Sequence, residues 1–126
     1  MADADPDGVV ASAIAVVDVF EAERLLAAGA PLWSAAELAY AHARADPARR
    51  LAARLAAKRA ACHLLAPGVT EADVEVARGE YGPPALRLSA AGRARLAARG
   101  AARALVSLTH ERRHAGALVV LLAPEA

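Results

Sequence analysis

Pro47-Ala48-Arg49-Arg50-Leu51-Ala52-Ala53-Arg54-Leu55-Ala56-Ala57-Lys58-Arg59-Ala60-Ala61-Cys62-His63-Leu64-Leu65 is the stretch on which the fold turns. Leu51, Leu55, Ala57 or Lys58, and Cys62 recur at helical spacing, and no glycine or internal proline interrupts them. Asp46 stands in the N-cap place with Pro47 at the first helical position, where a missing N–H costs nothing. Pro67-Gly68 closes the segment. The spacing predicts one long helix over 47–65.

Upstream, Ser34 followed by Glu37 is a capping box that opens a helix running through about Ala45. Phe20 to Ala28 carries acids first and Leu25-Leu26 later, and Gly29 with Pro31 ends it, as a short helix requires. Val9 to Val19 is rich in β-branched residues and reads as a buried strand. Downstream, Val74 to Ala77 and Ala85 to Leu88 flank the turn 79–84 and form a hairpin. Ser89 caps a helix ending near Gly100. Ala104 to Leu108 and Gly116 to Leu122 are apolar strands on either side of the polar segment Thr109 to His114. The order β-α-α-α-β-β-α-β-β is an α+β arrangement. It comprises a disordered lead over 1–8, a single domain over 9–122 and a tail over 123–126.

The chain has 126 residues, 57% of them hydrophobic but only 3% aromatic, so the core must be made of Leu, Val and Ala. Such thin side chains favour burying further surface in an oligomer. A formal net charge of +1 gives no general pull toward nucleic acid or an anionic membrane. The lone cysteine, Cys62, allows no intramolecular disulfide. Met1 to Gly8 is acidic rather than signal-like, and no apolar run is long enough for a membrane span. These features place the protein in the cytoplasm, and its Arg-rich, Ala-rich usage reads as a GC-rich, actinobacterial coding bias.

Three segments stand out in order: Arg54-Leu55-Ala56-Ala57-Lys58-Arg59-Ala60, Gly82-Pro83-Pro84 with Leu86-Arg87-Leu88, and Ser107-Leu108-Thr109-His110-Glu111. Together they resemble the holo-acyl-carrier-protein synthase family of 4'-phosphopantetheinyl transferases. Its signature is Arg-Phe-Ala-Ala-Lys-Glu-Ala, its hairpin carries Gly-Lys-Pro, and its element near the C-terminus is Ser-Leu-Ser-His-Glu. The match covers roughly residues 9–122. It implies a 4'-phosphopantetheinyl transferase-like fold whose small subunits form a trimer, with active sites between subunits. It also implies transfer of phosphopantetheine from coenzyme A to a carrier-protein serine, with magnesium neutralising the pyrophosphate.

Against that pattern, the first metal ligand aligns with Ala15 in Ala15-Val16-Val17-Asp18-Val19, and the second with Arg59. Asp18 has the opposite strand parity to Ala15 and should face away. An arginine of the first helix is matched by Glu21, leaving Arg24 as the only base there. A lysine one turn beyond the second metal acid is His63, and a Gly-Thr-Gly is Ala66-Pro67-Gly68. The expectation is therefore a site without metal. His110, Arg59 and Lys58 are its candidate catalytic groups, and Lys58, His63, Ser107 and His110 its candidate cofactor-binding groups. Lys58 is a candidate phosphate ligand or a solvated helix lysine, and Arg59 a guanidinium that clamps an anion in place of the metal or a solvent-exposed side chain. His110, at a strand end, suits acid–base work.

His114 is assigned to packing, and Glu111 to a surface pair with Arg112 or Arg113. Cys62 and His63, adjacent on a helix, point about 100° apart and do not readily meet; with His110 and His114 they match no standard zinc spacing. The leading functional expectation is a repurposed synthase-like protein acting on or binding an acyl or polyketide intermediate. The alternatives are a genuine 4'-phosphopantetheinyl transferase with an atypical metal site, or a non-catalytic partner in a biosynthetic complex. Expected partners are two further copies in a homotrimer and an acyl carrier protein or an acyl or polyketide small molecule.

Overall fold

The computed structural model describes residues 8–78 and 82–125. Most of the expected lead over 1–8, the tip 79–81 of the expected hairpin and Ala126 lie outside the described residues. The chain is α+β. Strand β1 (Val9–Asp18) leads to helices α1 (Val19–Ala27), α2 (Ala35–His42) and α3 (Pro47–Leu65). A 3-10 turn over Glu71–Asp73 precedes β2 (Val74–Arg78) and β3 (Pro84–Leu88), and then α4 (Ala90–Ala98), β4 (Arg103–His110) and β5 (His114–Leu122) complete the fold. The order is the one that turn residues and periodicity imply. Strands β4 and β5 reach further toward each other than expected, so the polar segment shrinks to the turn Glu111 to Arg113.

Strands β1, β5 and β4 form an antiparallel sheet in that order, and β2 and β3 form a separate antiparallel pair. Helix α3 lies across one face of the larger sheet. Its alanines and leucines are almost fully buried, and Val17, Ala115, Ala117, Val119 and Leu121 meet them from the strands. Period-two alternation sends the intervening residues to the other face. There Ile14 is 74% exposed, and Val16, Leu105 and Leu118 join it as uncovered apolar side chains. The register brings Ile14 opposite Leu118 and Leu118 opposite Ser107, so these side chains make one continuous patch.

The caps expected at α2 and α4 are built, and α1 carries one that was not expected. Asp18 accepts the Phe20 N–H at 2.8 Å and starts α1. Ser34 and Glu37 form the reciprocal capping box of α2. Ser89 accepts from Gly92 at 3.1 Å and starts α4. Asp46 departs from expectation, with φ 57 and no side-chain bond to the helix end. This left-handed backbone, which aspartate tolerates better than most residues, turns the carboxylate toward Arg49 at 3.6 Å instead. Among the described residues no helix is long and apolar enough to cross a membrane.

Candidate functional site

Lys58 sits in the middle of α3, and its side chain is 2% exposed. Its ammonium donates to Glu37 Oε1 at 2.7 Å and to the carbonyls of Val74 at 2.7 Å and Glu71 at 3.4 Å. Glu37 is as deeply buried, and it also accepts the backbone N–H of Ser34 at 2.8 Å and of Val76 at 2.9 Å. An ammonium has three donors, and here all three are engaged. Lys58 therefore ties α2, α3 and β2 together, with no donor left for a phosphate. That corrects the solvated-lysine expectation, and as a ligand group the ammonium would have to give up one of these partners.

Arg59, one residue on, turns to the other side of the helix and pairs with Glu21 of α1. Nη1 donates to Oε1 at 3.3 Å and Nη2 to Oε2 at 2.9 Å. The arginine hydrogen bond, ahead of the arginine's charge, holds the Glu21 carboxyl below its ordinary value against a smaller opposing push from burial. Ala15 points from β1 toward α3 and packs partly buried against the core. His63 follows Arg59 by one helical turn on the same face and is exposed.

His110 is exposed at the end of β4, opposite Ala115. It shares with Val16, Thr109, Glu111, His114 and Gly116 a largely apolar hollow of about 210 Å³. Ser107 is exposed on the outer face of the sheet, at the opposite parity to His110. Glu111 is not paired with Arg112 or Arg113 through their side chains. Its carboxylate accepts the backbone N–H of Arg113 at 3.0 Å and of His114 at 2.8 Å, and lies 3.0 Å from His114 Nδ1. These contacts, the Arg113 N–H first, hold its carboxyl below the ordinary value. His114 is thus an exposed partner in a turn and not a packing residue. The sequence candidates therefore occupy separate places in one chain: the core, the α1–α3 edge, the sheet end and the outer sheet face.

One site escaped the sequence reading. Arg54, one turn before Lys58, is 2% exposed, and among the described residues its Nε and Nη2 have no hydrogen-bond partner. Nη1 donates to the Arg50 carbonyl at 3.2 Å, and the guanidinium carbon lies 4.3 Å from the centre of the Tyr40 ring. These groups line a cavity of about 170 Å³ with Arg78, Arg87 and Glu75. Burial pushes the Tyr40 hydroxyl up, but Arg78, Arg44, Arg54 and Arg50 together outweigh it and leave it below the ordinary tyrosine value. Burial lowers Arg54 as well, and arginine nonetheless stays protonated in proteins. Arg54, Arg78 and Arg87 around one cavity, with Glu75 the single carboxylate in its lining, are chemistry suited to an anion. The signal was available in the sequence: Arg50, Arg54 and Lys58 recur every fourth residue along an alanine helix.

The magnesium that the resemblance implies needs oxygen donors. Ala15 offers a methyl group and Arg59 a guanidinium. Asp18 accepts the Phe20 N–H through one oxygen only, and its charge acts on the neighbouring Glu21 carboxylate. Asp18 and Glu21 are therefore the oxygen donors that could hold the ion, with the Arg59 cation beside them. Among the described residues, no three or more His, Cys, Asp or Glu gather as a metal site, so Cys62, His63, His110 and His114 form no zinc set either. Burial pushes the Cys62 thiol up to about 11, which makes it a poor nucleophile near neutrality.

With this geometry in place, comparison with known proteins is informative. No family model matches the chain. A holo-[acyl-carrier-protein] synthase of Thermus thermophilus is 41% identical over 118 residues, covering 90% of this chain and 93% of that protein. The match to the synthase of Clavibacter michiganensis is 42% identical but shorter, covering 61% of this chain and 66% of the relative. Among solved structures, the Mycobacterium tuberculosis acyl carrier protein synthase superposes with a TM-score of 0.70 and 28% identity, over 93% of this chain and 100% of that one. The Helicobacter pylori synthase in complex with coenzyme A has a TM-score of 0.73 at 18% identity, over 88% of this chain and 99% of that one, and shares the fold.

Proposed function

Because this chain belongs to the holo-[acyl-carrier-protein] synthase family, we propose that it binds coenzyme A and transfers the 4'-phosphopantetheine group to an acyl carrier protein, at an atypical site. The observation that carries the reading is the cavity lined by Arg54, Arg78 and Arg87, whose charge suits a phosphate of a polyanionic coenzyme. In the transfer, the carrier-serine oxygen forms a bond to phosphorus, and the pyrophosphate P–O bond to the leaving group breaks. The electron pair departs with adenosine 3',5'-bisphosphate. His110, exposed in the hollow at the sheet end, takes the serine proton. Arg59 and His63, on one exposed edge of α3, face the phosphates.

The uncovered apolar face of the sheet supports the trimer that the resemblance implies, since exposed Ile14, Val16, Leu105 and Leu118 would be withdrawn from water between copies. Assembly would also bring together candidate residues that one chain keeps apart. The cytoplasm is the setting in which coenzyme A, a carrier protein and the free thiol of Cys62 coexist. A repurposed cleft for an acyl or polyketide intermediate gains no support from the relatives, which carry the synthase name along most of this chain's length.

Incubating the protein with coenzyme A and an apo carrier protein, then weighing the carrier by mass spectrometry, tests the proposal. A phosphopantetheine adduct is expected, together with at least tenfold weaker coenzyme binding by Arg54→Ala, since a hydrogen bond to a charged group contributes about 1.5–3 kcal/mol. No adduct with or without magnesium, and no coenzyme A binding by calorimetry, would refute it.

A further inference from the structure

Strands β3 and β4 lie close to each other without pairing, because β4 is an edge of the three-stranded sheet and β3 belongs to the separate hairpin. Helix α4 joins them, and the seam between the three elements is a groove of about 330 Å³. Leu86 and Leu88 of β3, Leu96 of α4 and Leu105 of β4 line it. Strand alternation puts Leu86 with Leu88, and Arg103 with Leu105, on common faces of their strands. Arg93 and Arg103 are its charged lining residues, and among the described residues no carboxylate lines it. Arg93 donates Nη1 to the Leu88 carbonyl at 2.9 Å, which anchors one edge of the guanidinium and leaves the others for a further acceptor. Arg103 is 55% exposed and rests 3.7 Å from the still more exposed Glu125 carboxylate, a surface contact that a ligand carboxylate can replace. From Pro84 to His110 the chain carries five arginines and no acid.

We propose that this groove binds a fatty carboxylate, with its hydrocarbon chain along the four leucines and its head at Arg93 and Arg103. Charge complementarity selects this occupant. The apolar floor withdraws methylenes from water, and the guanidiniums meet a carboxylate through charge-assisted hydrogen bonds. A cationic chain would meet the same leucines and be repelled at the rim. Glu125 already sets one carboxylate beside Arg103, which marks the place of the head. The groove shares no lining residue with the Arg54 cavity and contains neither Asp18, Glu21 nor Arg59. The proposal is therefore independent of the transfer reading and adds a second ligand site to the chain.

The test titrates decanoate, below its micellar concentration, into the full chain by calorimetry, with octanoate and decyltrimethylammonium as comparisons. The wild type should bind decanoate, and octanoate about tenfold more weakly because two fewer methylenes are buried. The ammonium chain should bind more weakly than decanoate by a similar factor, and this comparison of heads needs no variant to fold. A double variant, Arg93→Ala with Arg103→Ala, should lose about tenfold or more in decanoate affinity, with thermal melting showing that it is folded. In methyl nuclear magnetic resonance spectra, decanoate should shift Leu86, Leu88 and Leu96. Absent decanoate binding, equal binding of the ammonium chain, equal binding by the folded double variant, or shifts confined to Ile14 and Leu118 on the outer sheet face would each overturn the proposal.

Discussion

Replacing Lys58 with methionine keeps the length and most of the volume of the side chain but removes its charge. Glu37 would then be an ionised carboxylate with no cation beside it, in a site where both partners are at most 2% exposed. Breaking a buried pair from one side costs about 3–5 kcal/mol, a large share of the ~6–19 kcal/mol expected for a domain of this length. Replacing Glu37 with leucine as well removes the stranded charge. It also orphans the N–H groups of Ser34 and Val76, which Glu37 accepts at 2.8 and 2.9 Å, at a cost of about 1–3 kcal/mol each.

The double variant should therefore remain destabilised, but by less than the sum of the two single changes. Urea denaturation at fixed protein concentration, with both single variants and the double, measures the three values; the concentration is held because self-association shifts apparent stability. Lys58→Met within about 1 kcal/mol of wild type, combined with a large loss of coenzyme A or pyrophosphate affinity, would refute the structural role and return Lys58 to the ligand.

Three other outcomes follow from the geometry. Tyr40 should ionise below its ordinary value of 10.0 in an ultraviolet titration compared with Tyr40→Phe; because the folded value is the depressed one, ionisation stabilises the native state as pH rises, and that gain is lost as pH falls through the folded value. Cys62, with its thiol near 11, should react with iodoacetamide at pH 8 at least tenfold more slowly than after unfolding. Rapid native-state alkylation would contradict the burial that raises it. Ile14→Glu should abolish self-association in light scattering while leaving the circular dichroism spectrum intact, since Ile14 is 74% exposed in the single chain. An unchanged oligomer would exclude this face as the interface.

The fold was legible because its signals are local. Ser34 with Glu37, Gly29 with Pro31 and the β-branched run of β1 each act within a few residues, and the element order follows from them. Asp46 misled because its left-handed backbone is set by how α2 and α3 join, which a capping rule does not see. The candidate site was less legible. Lys58 depends on Glu37 and on the carbonyl of Val74, sixteen residues away in the chain, and nothing at position 58 announces either partner. The Glu21–Arg59 contact spans thirty-eight residues, and no local pattern at either position announces the other. Arg54 was visible as a residue but not as an unpartnered one, because satisfaction of a donor is a property of the packed molecule.

The Glu21–Arg59 pair also constrains how this protein can change. An acid introduced at position 59 alone would set two carboxylates against each other where α1 meets α3. A base introduced at 21 alone would set two cations together. Either single step crosses a less stable intermediate, so the two positions are coupled: each charge makes a reversal of the other costly.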